Sequence, residues 1–156
     1  MHFLDSNVLV YAALDQSPDK KAIAGHLIAE AVETGTGVVS LQTLREFANV
    51  LFRKSGLAAV QIKSAVDGLA TLPLVVDSLA QIERGVEIKE RFGLQFYDAL
   101  VVASAEAAGC DTIYSEDMAD GAVYGSVRVV DPFRHSPGKQ PAVPGSPRSR
   151  TRRSKK

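Results

Sequence analysis

Met1-His2-Phe3-Leu4-Asp5-Ser6-Asn7-Val8-Leu9-Val10 opens the chain: a short strand-like apolar start, an acid that closes it, and at once a second apolar run. The same arrangement returns further along. Glu46 rides early on the amphipathic segment Leu41 to Lys54, Asp98 opens the run Phe96 to Val102, and Asp117 follows the short strand-like Thr112-Ile113-Tyr114. Carboxylates at element ends, pointing out of an apolar scaffold, are what an oxygen-ligand site for Mg²⁺ or Mn²⁺ requires.

Working outward from that first junction, short β-rich runs alternate with longer helical periodicities. Strands are expected at Phe3-Leu4, Gly37 to Val39, Leu74 to Val76, Thr112 to Tyr114 and Val127 to Val130, nearly all apolar, as for strands covered on both faces. Ser17-Pro18 reads as an N-cap followed by an N1 proline, and Ile23, Leu27 and Ala31 then recur at one-turn spacing before Gly35 stops the helix. Leu44, Phe47, Ala48 and Leu51 form the next stripe, and Val60 to Leu69 another. Ser78 to Gln81 is a capping-box pattern opening a helix that stops near Gly93, and Phe96 to Ala108 is closed by Gly109. The alternation predicts a three-layer α/β fold with a central, mainly parallel sheet flanked by helices.

With 156 residues, 46% hydrophobic and 23% charged, the chain suits one domain with a sizeable core, which the 6% aromatic content makes aliphatic. The lone Cys110 has no disulfide partner. No secretory signal is apparent, and no apolar run approaches the roughly 18–20 residues of a membrane span, so a cytoplasmic protein is expected. The formal net charge of zero hides an asymmetry. Residues 134–156 hold eight basic residues, no acid and four prolines, which leaves residues 1–133 at a net of −8. The domain is therefore expected to end near Phe133, with a disordered basic tail over 134–156 that is either an electrostatic arm for RNA, DNA or an acidic partner, or a solubilising extension.

In an open α/β sheet, ligands bind beyond the carboxyl ends of the strands. Asp5 and Asp117 fall there, Asp98 sits in the first turn of its helix, and Glu46 borders an apolar stripe, so all four acids can converge at one edge. Each taken singly is more often a turn, cap or solvated helix residue. As a set they favour a site, since like charges brought together raise one another's pKa and a divalent cation relieves the repulsion. Ser6 and Asn7 either serve that site or cap the following helix. His2, His26 and His135 are poorly placed for general-base work.

The ordered set Leu4-Asp5-Ser6-Asn7-Val8-Leu9, Leu44-Arg45-Glu46-Phe47, Tyr97-Asp98-Ala99-Leu100 and Ser115-Glu116-Asp117-Met118 resembles the PIN-domain nucleases, and most closely the VapC-type toxins of bacterial toxin–antitoxin pairs. The resemblance spans residues 1 to about 133. It implies a Mg²⁺- or Mn²⁺-dependent endoribonuclease acting on RNA, with a cognate antitoxin and frequent homodimers. Asp5, Glu46, Asp98 and Asp117 match the family's acidic quartet, and Asp120 is the reserve for the fourth role. The resemblance further implies that Asp5 and Asp98 touch the metal directly, Asp117 through water or at a second ion, while Glu46 orients or deprotonates the attacking water. Two alternatives stand beside it. One is a haloacid-dehalogenase-type phosphatase, which Asp5-Ser6-Asn7 faintly resembles; the other is an inactive PIN-like domain that binds RNA or protein.

Overall fold

The computed structural model describes residues 1–134, so the tail expected over 134–156 lies, apart from Arg134, outside the described residues. The elements run β1 (His2–Leu4), α1 (Ser6–Ala13), α2 (Pro18–Thr34), β2 (Gly37–Ser40), α3 (Leu41–Lys54), α4 (Ala59–Leu69), β3 (Leu74–Val75), α5 (Leu79–Phe92), α6 (Phe96–Ala107), β4 (Thr112–Tyr114), β5 (Val123–Tyr124) and β6 (Val127–Val130). The six strands form one sheet in the order β3-β2-β1-β4-β6-β5. Every neighbouring pair is parallel except β5 with β6.

The three layers follow from alternation along the strands. Phe3, Val38 and Ile113 point to one face, where Ile88 of α5 and Ala99, Val102 and Ala103 of α6 cover them. Leu4 and Val39 point to the other and meet Leu9, Leu44, Phe47, Leu51 and Ile62 from α1, α3 and α4. Side chains one residue apart thus enter different cores. The expected strands and helices are all present, and β5 is an addition to them. Ser17 occupies the expected N-cap position of α2, but its side chain makes no capping hydrogen bond.

Two junctions decide where the functional side chains go. β2 runs straight into α3 through a buried capping box: Ser40 Oγ accepts from the Thr43 amide at 3.2 Å, and Thr43 Oγ1 accepts from the Ser40 amide at 3.0 Å. With no loop between them, α3 leaves the strand end at a fixed angle and carries Glu46 on its second turn. The second junction is topological. From β1 the chain builds toward β2 and β3, then returns to lay β4 on the opposite side of β1. The crevice between the carboxyl ends of β1 and β4 is the switch point of the sheet, where loops diverge and ligands fit. Among the described residues, no helix is long and apolar enough to cross a membrane.

Candidate active site

Asp5 leaves β1 at that switch point, and its amide donates to the Tyr114 carbonyl of β4 at 3.1 Å. It is also the N-cap of α1, its Oδ1 accepting from the Ser6 amide at 2.6 Å. The cap expected from Ser6 or Asn7 is therefore supplied by Asp5 itself, which leaves both neighbours for the site. Asp5 Oδ2 accepts from Ser115 Oγ at 2.6 Å and from Asn7 Nδ2 at 3.2 Å. Only 5% of Asp5 is exposed, so these hydrogen bonds hold a nearly dry carboxylate.

Asn7 is the hub. Besides Asp5, its Nδ2 reaches Ser115 Oγ at 3.1 Å and Asp117 Oδ2 at 3.1 Å, and its Oδ1 accepts from the Glu116 amide at 3.4 Å. One amide therefore ties the acid after β1 to the acid after β4. Ser6 acts on a third acid, its Oγ donating to Glu46 Oε2 at 2.7 Å. Gln42, one turn before Glu46, donates to Glu46 Oε1 at 3.1 Å and to the Tyr97 carbonyl at 3.2 Å, which fastens α3 to the start of α6. Asp98 follows Tyr97 in the first turn of α6, half-buried, and its carboxylate accepts no hydrogen bond among the described residues.

The electrostatics link all four acids. Burial pushes the Asp5 carboxyl up to about 6, repulsion from Glu46 and Asp117 adds to this, and the hydrogen bonds from Ser115 and Ser6 oppose it. Asp98 is raised as well, first by burial, then by Asp117 and Glu46. Carboxylates that feel one another this way face a common space. The donor set is all oxygen and hard, as Mg²⁺ or Mn²⁺ prefers. Among the described residues no three His, Cys, Asp or Glu side chains are drawn tightly enough to hold an ion between them. A loose acidic ring still fits Mg²⁺, which keeps several waters and takes only one or two carboxylates directly.

The PIN domain family model matches residues 2–119, which spans Asp5, Glu46, Asp98 and Asp117. The chain belongs to the PIN domain family. Among solved structures, the domain is similar to the VapC20 toxin of Mycobacterium tuberculosis, described as cleaving the sarcin–ricin loop, at TM-score 0.60 and 18% identity, covering 82% of this chain and 99% of that one. It is also similar to a toxin–antitoxin complex from Klebsiella pneumoniae (TM-score 0.62, 20% identity, 85% and 98% covered). A third is VapBC2 from Rickettsia felis bound to a promoter DNA fragment (TM-score 0.58, 17% identity, 82% and 96% covered). At these identities the likeness is one of fold. Comparison with curated protein sequences finds no match. The haloacid-dehalogenase alternative falls with the family match, and for a local reason too. Asn7 stands two residues after Asp5 as a hydrogen-bond donor that binds the acids together.

Within this PIN domain, three groups of supporting residues have roles that the sequence reading did not assign. Ser115 is fully buried and serves Asp5, Asn7 and the Asp117 amide (3.2 Å) through one hydroxyl. Gln42 aims Glu46. Glu116 turns away from the acids: it pairs with Lys20 Nζ and accepts from Tyr11 Oη at 2.5 Å. Lys20 Nζ also donates to Tyr11 Oη at 2.9 Å and lies over the Tyr11 and Phe133 rings. This brace pins the loop after β4 against α1 and α2. Asp120 sits at the far end of that loop, where it accepts from the Asp131 amide at 3.0 Å and pairs with Arg134 at 2.8 Å. Asp117 is the one hydrogen-bonded to Asn7.

Proposed function

We propose that this PIN domain is a divalent-metal-dependent endoribonuclease and the toxin of a toxin–antitoxin pair. One observation carries the reading. Acids from four separate elements face one space at the switch point, and two of them, Asp5 and Asp98, are held above the usual carboxylate range by burial and by the other acids. Like charges gathered in a half-dry crevice cost the fold stability, which points to work done there. The toxins and toxin–antitoxin complexes that share the fold support RNA as substrate and an antitoxin as partner.

Asp5 and Asp98 would hold Mg²⁺ or Mn²⁺ directly, with Asp117 acting through water or at a second ion. When bound, such an ion supplies a Lewis acid for a phosphoryl oxygen and a more acidic water for in-line attack. Glu46, steadied by Ser6 and Gln42, takes the proton of the attacking water. Asn7 and Ser115 keep Asp5 and Asp117 at fixed spacing while the phosphate enters. Asp120 is kept as the alternative fourth acid. An antitoxin segment bringing a basic side chain into the ring would pair with these carboxylates and displace substrate.

The test is cleavage of RNA beside hydrolysis of p-nitrophenyl phosphate, with Mg²⁺ or Mn²⁺ and with chelator. RNA should be cut only with the divalent ion, and the small ester should be left alone. Glu46→Gln should slow cleavage by about 10²–10⁴-fold, the range typical of a lost general base. Asp98→Asn should abolish cleavage with the fold intact, and undiminished cutting by that variant would overturn the assignment.

A further inference from the structure

A groove opens beside Glu46, and none of Asp5, Asp98 and Asp117 lines it. Gln42, Arg45, Glu46 and Asn49 line one side, and Tyr97 from the first turn of α6 the other, of an open groove of about 390 Å³. The four α3 residues recur at i, i+3, i+4 and i+7, so they share one helical face. We propose that this groove is a stacking subsite for a nucleobase of single-stranded RNA next to the cleaved bond. The proposal rests on the nuclease reading and locates its substrate.

Tyr97 is 66% exposed, a large ring left in water directly before Asp98. Gln42 holds its backbone carbonyl while also holding Glu46, so one amide fixes the point from which the ring projects relative to that acid. An aromatic face offered to solvent next to a phosphodiester-cleaving site suits a splayed base, because every base has a π-face to stack. Arg45 donates to Asp77 from Nη1 at 2.8 Å, and the remaining N–H groups of its 66% exposed side chain are left to meet a phosphate. Asn49 is exposed and brings both a donor and an acceptor to a base edge. Phe52, 64% exposed, and the exposed Arg53 continue the same face at i+3 and i+4 from Asn49. Aromatic and cationic groups interleaved along one face form the track that single-stranded nucleic acid needs. A protein partner is less well matched. Glu46 itself lines the space, so an occupant touches the reacting end, and the polar groups beside it are two amides and Arg45.

The full chain carrying Asp98→Asn, in Mg²⁺, would be titrated onto a short single-stranded oligoribonucleotide bearing 2-aminopurine at successive positions. Cleavage by the unsubstituted chain is measured in parallel. Tyr97→Ala, added to Asp98→Asn, should weaken affinity by about 5- to 100-fold, the range for loss of one stacked base, and abolish fluorescence quenching at one position. Tyr97→Phe should restore both, because stacking needs the ring and not the hydroxyl. Unchanged affinity and quenching in Tyr97→Ala would overturn the subsite. So would a loss as large in Tyr97→Phe as in Tyr97→Ala, failure of the Asp98→Asn chain to bind RNA, or release of a co-purifying protein by Tyr97→Ala with RNA affinity untouched. Those results are separable from failure of the nuclease reading, which is absence of cleavage by the unsubstituted chain. Tyr97-dependent RNA binding would support the subsite even then.

Discussion

Asp5 binds a proton more tightly in the folded chain than in the unfolded one, because burial and two neighbouring acids raise its carboxyl to about 6. The sign of the consequence follows. A raised carboxylate contributes stability that is complete below the unfolded value near 4 and is lost as pH rises through the folded value near 6. Asp98, raised for the same reasons, acts in the same direction. In chelator, the domain should therefore gain about 1–1.5 kcal/mol between pH 7.5 and pH 5 from Asp5 alone, or about 3–5 °C in Tm. Asp5→Asn should flatten that slope; thermal melts at both pH values check it, and an equal slope in the variant would remove Asp5 as its source. At pH 7.5, saturating Mg²⁺ should raise Tm of the unsubstituted chain by mass action.

At the scale of elements, two glycines, one in β2 and one in α2, should respond oppositely to alanine. A Cβ on Gly37, at the start of β2, would lie 2.5 Å from the Ala31 Cβ of α2, and neither atom has a flexible side chain behind it to yield. Gly37→Ala should cost about 1–3 kcal/mol through overpacking. Gly25, exposed within α2, meets nothing within 4 Å, so Gly25→Ala should add about 0.5–1 kcal/mol of helix stability. Denaturant melts decide both signs. Most elements were legible because local chemistry marks them: Pro18 and Gly35 bracket α2, Ser78 and Gln81 cap α5, and apolar pairs such as Val38-Val39 sit where both sheet faces are covered. β5 was not, since two residues, Val123 and Tyr124, leave no period to detect. The four acids stand out in the sequence because they interrupt apolar runs at element ends, and their coupling in the fold is what brings Asp5 and Asp98 under the influence of Glu46 and Asp117. Ser115, Gln42 and the Lys20–Tyr11–Glu116 brace do not stand out. Ser115 and Glu116 act on partners 96–110 residues away, and Gln42 reaches a carbonyl 55 residues on, so no local window contains the contact.

For the molecule as a whole, charge is divided between an acidic domain and a basic chain end. Truncation after Arg134 keeps that residue's ion pair with Asp120 and removes the other seven basic residues. Affinity for single-stranded RNA should fall, and the plot of log K against log salt should flatten by about 0.7 for each lost phosphate contact. The cleavage rate of the bound complex should be unchanged. Coincident salt slopes for the long and short chains would show that these residues do not engage RNA. The sheet order has a consequence in time. Asp5 and Asn7 are made 108–110 residues before Ser115 and Asp117, which hold them in place. Synthesis at about 5–20 residues per second leaves β1 waiting several seconds for β4 to settle beside it. Whatever chemistry the acids perform must therefore wait until the chain through Asp117 has left the ribosome, because no shorter length of it can hold Asp5 and Asn7 in place.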